Sequence, residues 1–153
     1  VQTCALPICS VWNHPIAMRM LDDGVAEGVV RADIEGVTCQ IRMDFYNQPH
    51  GLIDLKTCAE LKWFEYDCKK YGYINQLAFY RAVIREKVGV NVPVHIIAVE
   101  KVEPFSAGVW LIAPDALDQA EYVNNATLQR YKDCLDRDVW PTGYEAIRII
   151  DSL

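Results

Sequence analysis

The residues best suited to chemistry lie in RMDFYNQPHGLIDLKT, positions 42–57, where Asp44 is followed ten residues later by Asp54-Leu55-Lys56. Side chains of an extended strand alternate faces, so Asp54 and Lys56 point one way and Leu55 the other. A chain reversal through Asn47-Gln48-Pro49-His50 lets hairpin pairing bring Asp44 beside them. Two converging carboxylates offer oxygen ligands to a hard cation such as Mg2+, or Mn2+ in its place, and the Leu55 backbone carbonyl is a further candidate ligand. A lysine beside such a cation orients or helps deprotonate an attacking water and neutralises charge growing on a phosphate. As a bare pattern the spacing is weak, because surface hairpins meet it by chance. Gln76 and Tyr80 follow about twenty residues on, four apart and therefore on one helical face. A pair reaching the same site fits that spacing, and so does a buried tyrosine with an incidental glutamine.

The elements that must position these residues can be read from periodicity and turn chemistry. Apolar positions Val11, Ile16, Met18, Met20 and Leu21 suit the end of a helix closing at the turn Asp22-Asp23-Gly24. Val25 to Ala32, Val37 to Tyr46 and Gly51 to Thr57 read as three strands of a meander, with Asp44 ending the second. Ala59 to Lys70 reads as helical, and a second helix runs from about Tyr73 to Val88 and stops at Gly89. Two more strands, Val92 to Lys101 and Gly108 to Ala113, precede a long polar helix from about Pro114 to Asp138 and a turn at Trp140-Pro141-Thr142-Gly143-Tyr144.

With 153 residues, 52% of them hydrophobic and 24% charged, the chain can bury one core and hardly two. No apolar run approaches the roughly 20 residues of a membrane span, so no membrane is expected as a partner and a cytoplasmic location is. Six cysteines without CxxC pairs suggest free, mostly buried thiols and neither a zinc knuckle nor a disulfide framework. The net charge of -6 speaks mildly against nucleic acid, yet positions 56–87 hold seven basic and four acidic residues, a local +3 that leaves -9 for the remainder. A solvated face of mixed charge is the plainer reading of that stretch.

Taken together, Arg42-Met43-Asp44, Ile53-Asp54-Leu55-Lys56-Thr57 and the Gln76 to Tyr80 element resemble, in this order, the PD-(D/E)XK nucleases of the exonuclease VIII and lambda-exonuclease sort. Ala98-Val99-Glu100-Lys101-Val102-Glu103-Pro104-Phe105 and the Trp140 to Tyr144 turn look like later segments of the exonuclease VIII-like domain, so the resemblance covers about residues 11–150. It implies an α+β fold of α/β/α type: a restriction-endonuclease-like core with a central mixed sheet flanked by helices. It also implies a Mg2+-dependent exonuclease that degrades one strand from double-stranded DNA ends, 5′ to 3′, and serves phage-type recombination with a single-strand annealing protein, in relatives as a ring-shaped homo-oligomer. Carried over by position, Asp44 and Asp54 become metal ligands, Lys56 the catalytic lysine, and Gln76 with Tyr80 the supporting motif. Glu27 matches an acidic residue that opens the first core strand in these nucleases, although a glutamate there is otherwise a solvated charge. The sequence departs from the family in having Arg42-Met43 where a proline precedes the aspartate. It also lacks the upstream histidine that relatives contribute to the metal site.

Residues 1–9 resemble the translation of a sequencing adapter and are set apart, which leaves Cys4 without a role and residues 10–153 as the exonuclease core, with an upstream part expected to be missing. His14 reads as structural, His50 as an exposed turn residue and His95 as a satisfied core histidine. Trp63, Phe64, Tyr66, Tyr71 and Tyr73 suit either stacking on bases at a frayed end or packing of helices on the sheet, and Trp110 and Trp140 suit packing. Two other readings stay open: a related endonuclease, and a non-catalytic or truncated domain that binds DNA or a partner.

Overall fold

The computed structural model describes residues 6–150. Residues 1–5 of the opening segment set apart above, Cys4 among them, lie outside the described residues. Five strands, β1 (Val25–Ile34), β2 (Val37–Asn47), β3 (Gly51–Cys58), β4 (Val94–Glu100) and β5 (Ala107–Leu111), form one sheet in sequence order. All neighbours are antiparallel except β3 and β4, which run parallel, so the sheet is mixed as expected. A parallel pair needs a crossover. The chain supplies it with a 3-10 turn at Leu61–Trp63 and two helices, α3 (Phe64–Lys70) and α4 (Tyr73–Val88), counting α1 (Pro7–Asn13) and α2 (Pro15–Met20) before the sheet; α5 (Pro114–Arg137) follows it.

The helices cover both faces. Leu52, Ile96 and Ala98 pack with Phe64, Leu77, Val83 and Leu117 in the larger cluster, which joins α3, α4 and α5 to the sheet. On the opposite face Ile53, Ile97 and Val99 pack against Val11, Ala17 and Met20 of α1 and α2. This is the α+β, α/β/α architecture that the sequence implies. No helix among the described residues is long and apolar enough to cross a membrane.

Two local departures from the sequence reading matter. The segment from Ser10 to Leu21 is two short helices: Pro15 opens the second, and His14 caps it by accepting the Ala17 N–H on Nδ1 at 3.2 Å. The other lies in β2, which continues past Asp44 to Asn47 and does not keep strict alternation. Ile41 and Met43 face the larger cluster, Phe45 the smaller, and Tyr46 the larger again. The change of face falls at Asp44, and the residue opposite it on β1, Glu27, has a left-handed φ of 53° that interrupts the β1–β2 ladder between Ala26↔Phe45 and Gly28↔Met43.

The turn between β2 and β3 is fixed by a buried side chain. Asn47 Nδ2 donates to the carbonyls of Met20 (2.7 Å) and Asp22 (3.2 Å), and its Oδ1 accepts the His50 N–H (2.9 Å). Gly51 starts β3 with φ 71°, and any Cβ there would overlap the Pro93 carbonyl. Asn47→Ala strands two carbonyls and one N–H, and is expected to cost about 2–3 kcal/mol. The check is a lower urea midpoint at unchanged slope.

The expectation of free thiols holds for Cys39, Cys58, Cys68 and Cys134, which are free and buried. It fails for Cys9, which is disulfide-bonded. Burial pushes the Cys68 thiol up to about 11, so it stays protonated and inert at neutral pH.

Candidate active site

The sheet brings Asp44, Asp54 and Lys56 together by parting two strands. Pairing of β2 with β3 covers only Phe45↔Ile53, Tyr46↔Leu52 and Asn47↔Gly51, and the next step, where Asp44 would meet Asp54, has no backbone ladder. In place of a β2 carbonyl, the Asp44 carboxylate accepts the Leu55 N–H, 2.8 Å from Oδ2. A strand residue's N–H and C=O point to the same side, so the Leu55 carbonyl points into the same gap. Beyond β3, the pairs Asp54↔Ile96 and Lys56↔Ala98 set the strand against β4, a run of buried Ile and Val.

Asp54 is 3% exposed. Lys56 Nζ stands 2.5 Å from its Oδ2, an ion pair that compensates the buried charge. Burial pushes the Asp54 carboxyl above its ordinary value; Lys56 pulls it back in part, and the charge of Asp44 adds to the rise. Lys56 itself is well enclosed, with Nζ 3.3 Å from Gln76 Oε1 and 4.9 Å above the centre of the Tyr73 ring. Gln76 Nε2 in turn donates to Tyr80 Oη at 3.4 Å. The spacing of Gln76 and Tyr80 thus produces a relay from helix α4 to Lys56, with Tyr80 partly buried against the core.

Glu27 is not gathered with them. It falls in the gap between the Ala26↔Phe45 and Gly28↔Met43 pairs, across from Asp44, but its carboxylate pairs with Arg42 Nε at 3.0 Å, both side chains being largely exposed. Among the described residues no three His, Cys, Asp or Glu side chains converge as a metal cluster. The donor set is therefore two carboxylates and a backbone carbonyl. That fits Mg2+, which is commonly held by one or two carboxylates and retains several waters. The Asp54 carboxylate, buried and charge-paired with Lys56, is an oxygen ligand such a cation would share with the lysine.

Several residues take places that the sequence reading did not give them. Tyr73, read only as one of five aromatic residues, forms the floor under Lys56. Phe64 is fully buried, while Trp63, Tyr66 and Tyr71 are exposed, so packing claims only part of that aromatic run. Trp110 packs against Phe64 at 4.7 Å between ring centres, as expected, but Trp140 is largely exposed beside Tyr131. Arg81 and Arg85, counted toward the basic stretch, are spent inside the molecule. Arg81 bridges Asp118 and Glu121 at 2.6 and 3.1 Å, and Arg85 holds Glu121 at 2.6 Å. Lys62 is paired with Glu60 at 2.5 Å, so the cations of that stretch left for a partner are Lys69, Lys70 and Lys87, with Lys56 in the site. His95 is only half-buried; its Nδ1 contacts the His50 carbonyl at 2.9 Å, and burial lowers its pKa.

Residues 4–152 match the family described as a PDDEXK-like domain of unknown function, DUF3799, and the chain belongs to that family. Among solved structures it is similar to a protein from Eubacterium rectale described as a "putative exonuclease", with a TM-score of 0.76 at 19% identity over 95% of this chain. The chain spans 60% of that protein's length. No curated protein matches.

Proposed function

We propose that the chain is the core of a Mg2+-dependent deoxyribonuclease that hydrolyses phosphodiester bonds at the ends of double-stranded DNA, 5′ to 3′, of the exonuclease VIII type that works beside a single-strand annealing protein. The observation that carries the reading is Asp54: a buried carboxylate ion-paired with an enclosed lysine and beside a second carboxylate. A fold gains nothing from burying such a group, since replacing a buried ion pair by apolar residues is often neutral or stabilising.

Asp44 and Asp54, with the Leu55 carbonyl, would hold Mg2+, which when bound supplies Lewis acidity toward phosphate and water. The protein does the remaining work. Asp44 is fixed by the Leu55 N–H, so its free oxygen has a set direction. Lys56 is held between Asp54, Gln76 and the Tyr73 ring, which aims its ammonium at an incoming phosphate and lets it orient water and offset the charge that grows as the bond breaks. Tyr80 acts through Gln76 and positions Lys56.

The test is digestion of a linear duplex labelled at either 5′ end. Mg2+-dependent loss of the 5′ label as mononucleotide supports the exonuclease reading; internal fragments point to a related endonuclease. A domain that binds DNA without cutting is favoured by one observation, the diversion of Glu27 to Arg42, which leaves the site two carboxylates. Binding without any product would support that second reading.

A further inference from the structure

Resting on the deoxyribonuclease reading, we propose that Tyr71, braced by Tyr73, forms a stacking platform for unpaired nucleobases of the strand whose phosphate lies at Lys56, so that the preferred substrate end is frayed or single-stranded. The two residues flank Gly72, a left-handed residue (φ 69°) between α3 and α4, and their rings are neighbours. Their centres are 5.8 Å apart with planes 32° from parallel. Lys56 Nζ lies 4.9 Å above Tyr73 at the inner end, and Lys70 Nζ lies 5.2 Å above Tyr71 at the outer end.

The series cation, ring, ring, cation leads from the candidate site to the surface. It matches the chemistry of one nucleic-acid strand, in which anionic phosphates flank flat bases. The inner ring is braced: Tyr73 lies 6.3 Å from Phe64, which is fully buried and packed on Trp110. The outer ring is 58% exposed. Packing explains Tyr73 but leaves Tyr71 open to solvent. Tyr71 offers an exposed ring beside the Lys70 ammonium, so stacking and charge are separable contributions to holding DNA.

That distinction gives the test. Anisotropy with Ca2+ in place of Mg2+ would measure binding of a duplex with an unpaired end of three nucleotides, and of the same duplex with those three bases removed. The wild-type chain is expected to prefer the intact end about tenfold, Tyr71→Phe to keep that preference, and Tyr71→Ala to lose it while binding the abasic end as before. Stacking releases no counterions, so the factor lost should be the same at low and high salt, whereas Lys70→Ala should flatten the salt dependence. An unchanged intact-to-abasic ratio in Tyr71→Ala, or a wild-type chain that binds neither duplex, overturns the platform. A base preference that survives in a chain unable to cut in Mg2+ would sustain the platform and refute the hydrolase.

Discussion

Asp54→Asn is expected to abolish Mg2+-dependent digestion of linear duplex DNA, with a loss well beyond the about 10- to 100-fold typical of residues that only support a metal ligand. The same change should leave the fold intact and alter its pH response in a defined sense. Burial raises the Asp54 carboxyl in the folded chain above its unfolded value. Such a group contributes stability that is fully present below the unfolded pKa, about 3.9, and is lost as pH rises through the higher folded value. In chelator, the wild-type chain should therefore lose this contribution between about pH 4 and the raised pKa, and Asp54→Asn should not. Urea midpoints of the two proteins across that window make the comparison. Mg2+ should then raise the wild-type melting temperature, since a ligand of the folded state stabilises by mass action, and should do so much less in Asp54→Asn. A variant that still cuts, or a wild-type chain whose pH profile matches that of the variant, contradicts the assignment.

The second large effect is expected at Lys56. Its ammonium is 2.5 Å from the same Asp54 oxygen that a cation would occupy, so lysine and metal compete for it. Lys56→Met is expected to lower the cleavage rate by about 10²- to 10⁴-fold, the range for a positioned proton-transfer group. It should nonetheless bind Mg2+ or Mn2+ at least as tightly as the wild-type chain, because a positive charge has left the site. Calorimetric titration of the metal beside single-turnover cleavage separates the two. Parallel loss of metal affinity and rate would mean that Lys56 merely shapes the cation site.

Much of this arrangement could be read from the sequence where local rules are strong. Helix α4 ends where predicted because Gly89 is left-handed and no other residue type stops a helix so cheaply, and Gly72, also left-handed, separates it from α3. The hairpin order of β1, β2 and β3 followed from turn residues and alternation. The juxtaposition of Lys56 with Gln76 followed from one helical spacing and a family resemblance, and it stands at 3.3 Å. What escaped the sequence depends on distant partners or on broken rules. Nothing near Asn47 announces that its amide will hold Met20 and Asp22 from 27 and 25 residues away. Arg81 and Arg85 look like surface charges until α5 brings Asp118 and Glu121 against them. Alternation predicts that Asp44 faces as Arg42 does, but the change of face between Met43 and Tyr46 turns the strand at the residue that matters for chemistry. Pro15 opens a second helix within what reads as one, and there Ile16 and Met18 are exposed while Ala17 and Met20 enter the core.

The most direct measurement is release of acid-soluble nucleotide from a uniformly labelled linear duplex by the purified chain, in Mg2+ and in EDTA, beside a variant carrying both Asp44→Asn and Asp54→Asn. The account predicts release by the wild-type chain in Mg2+ alone and none by the variant. Release that persists in EDTA or in the double variant, or a wild-type chain silent in Mg2+, would contradict it.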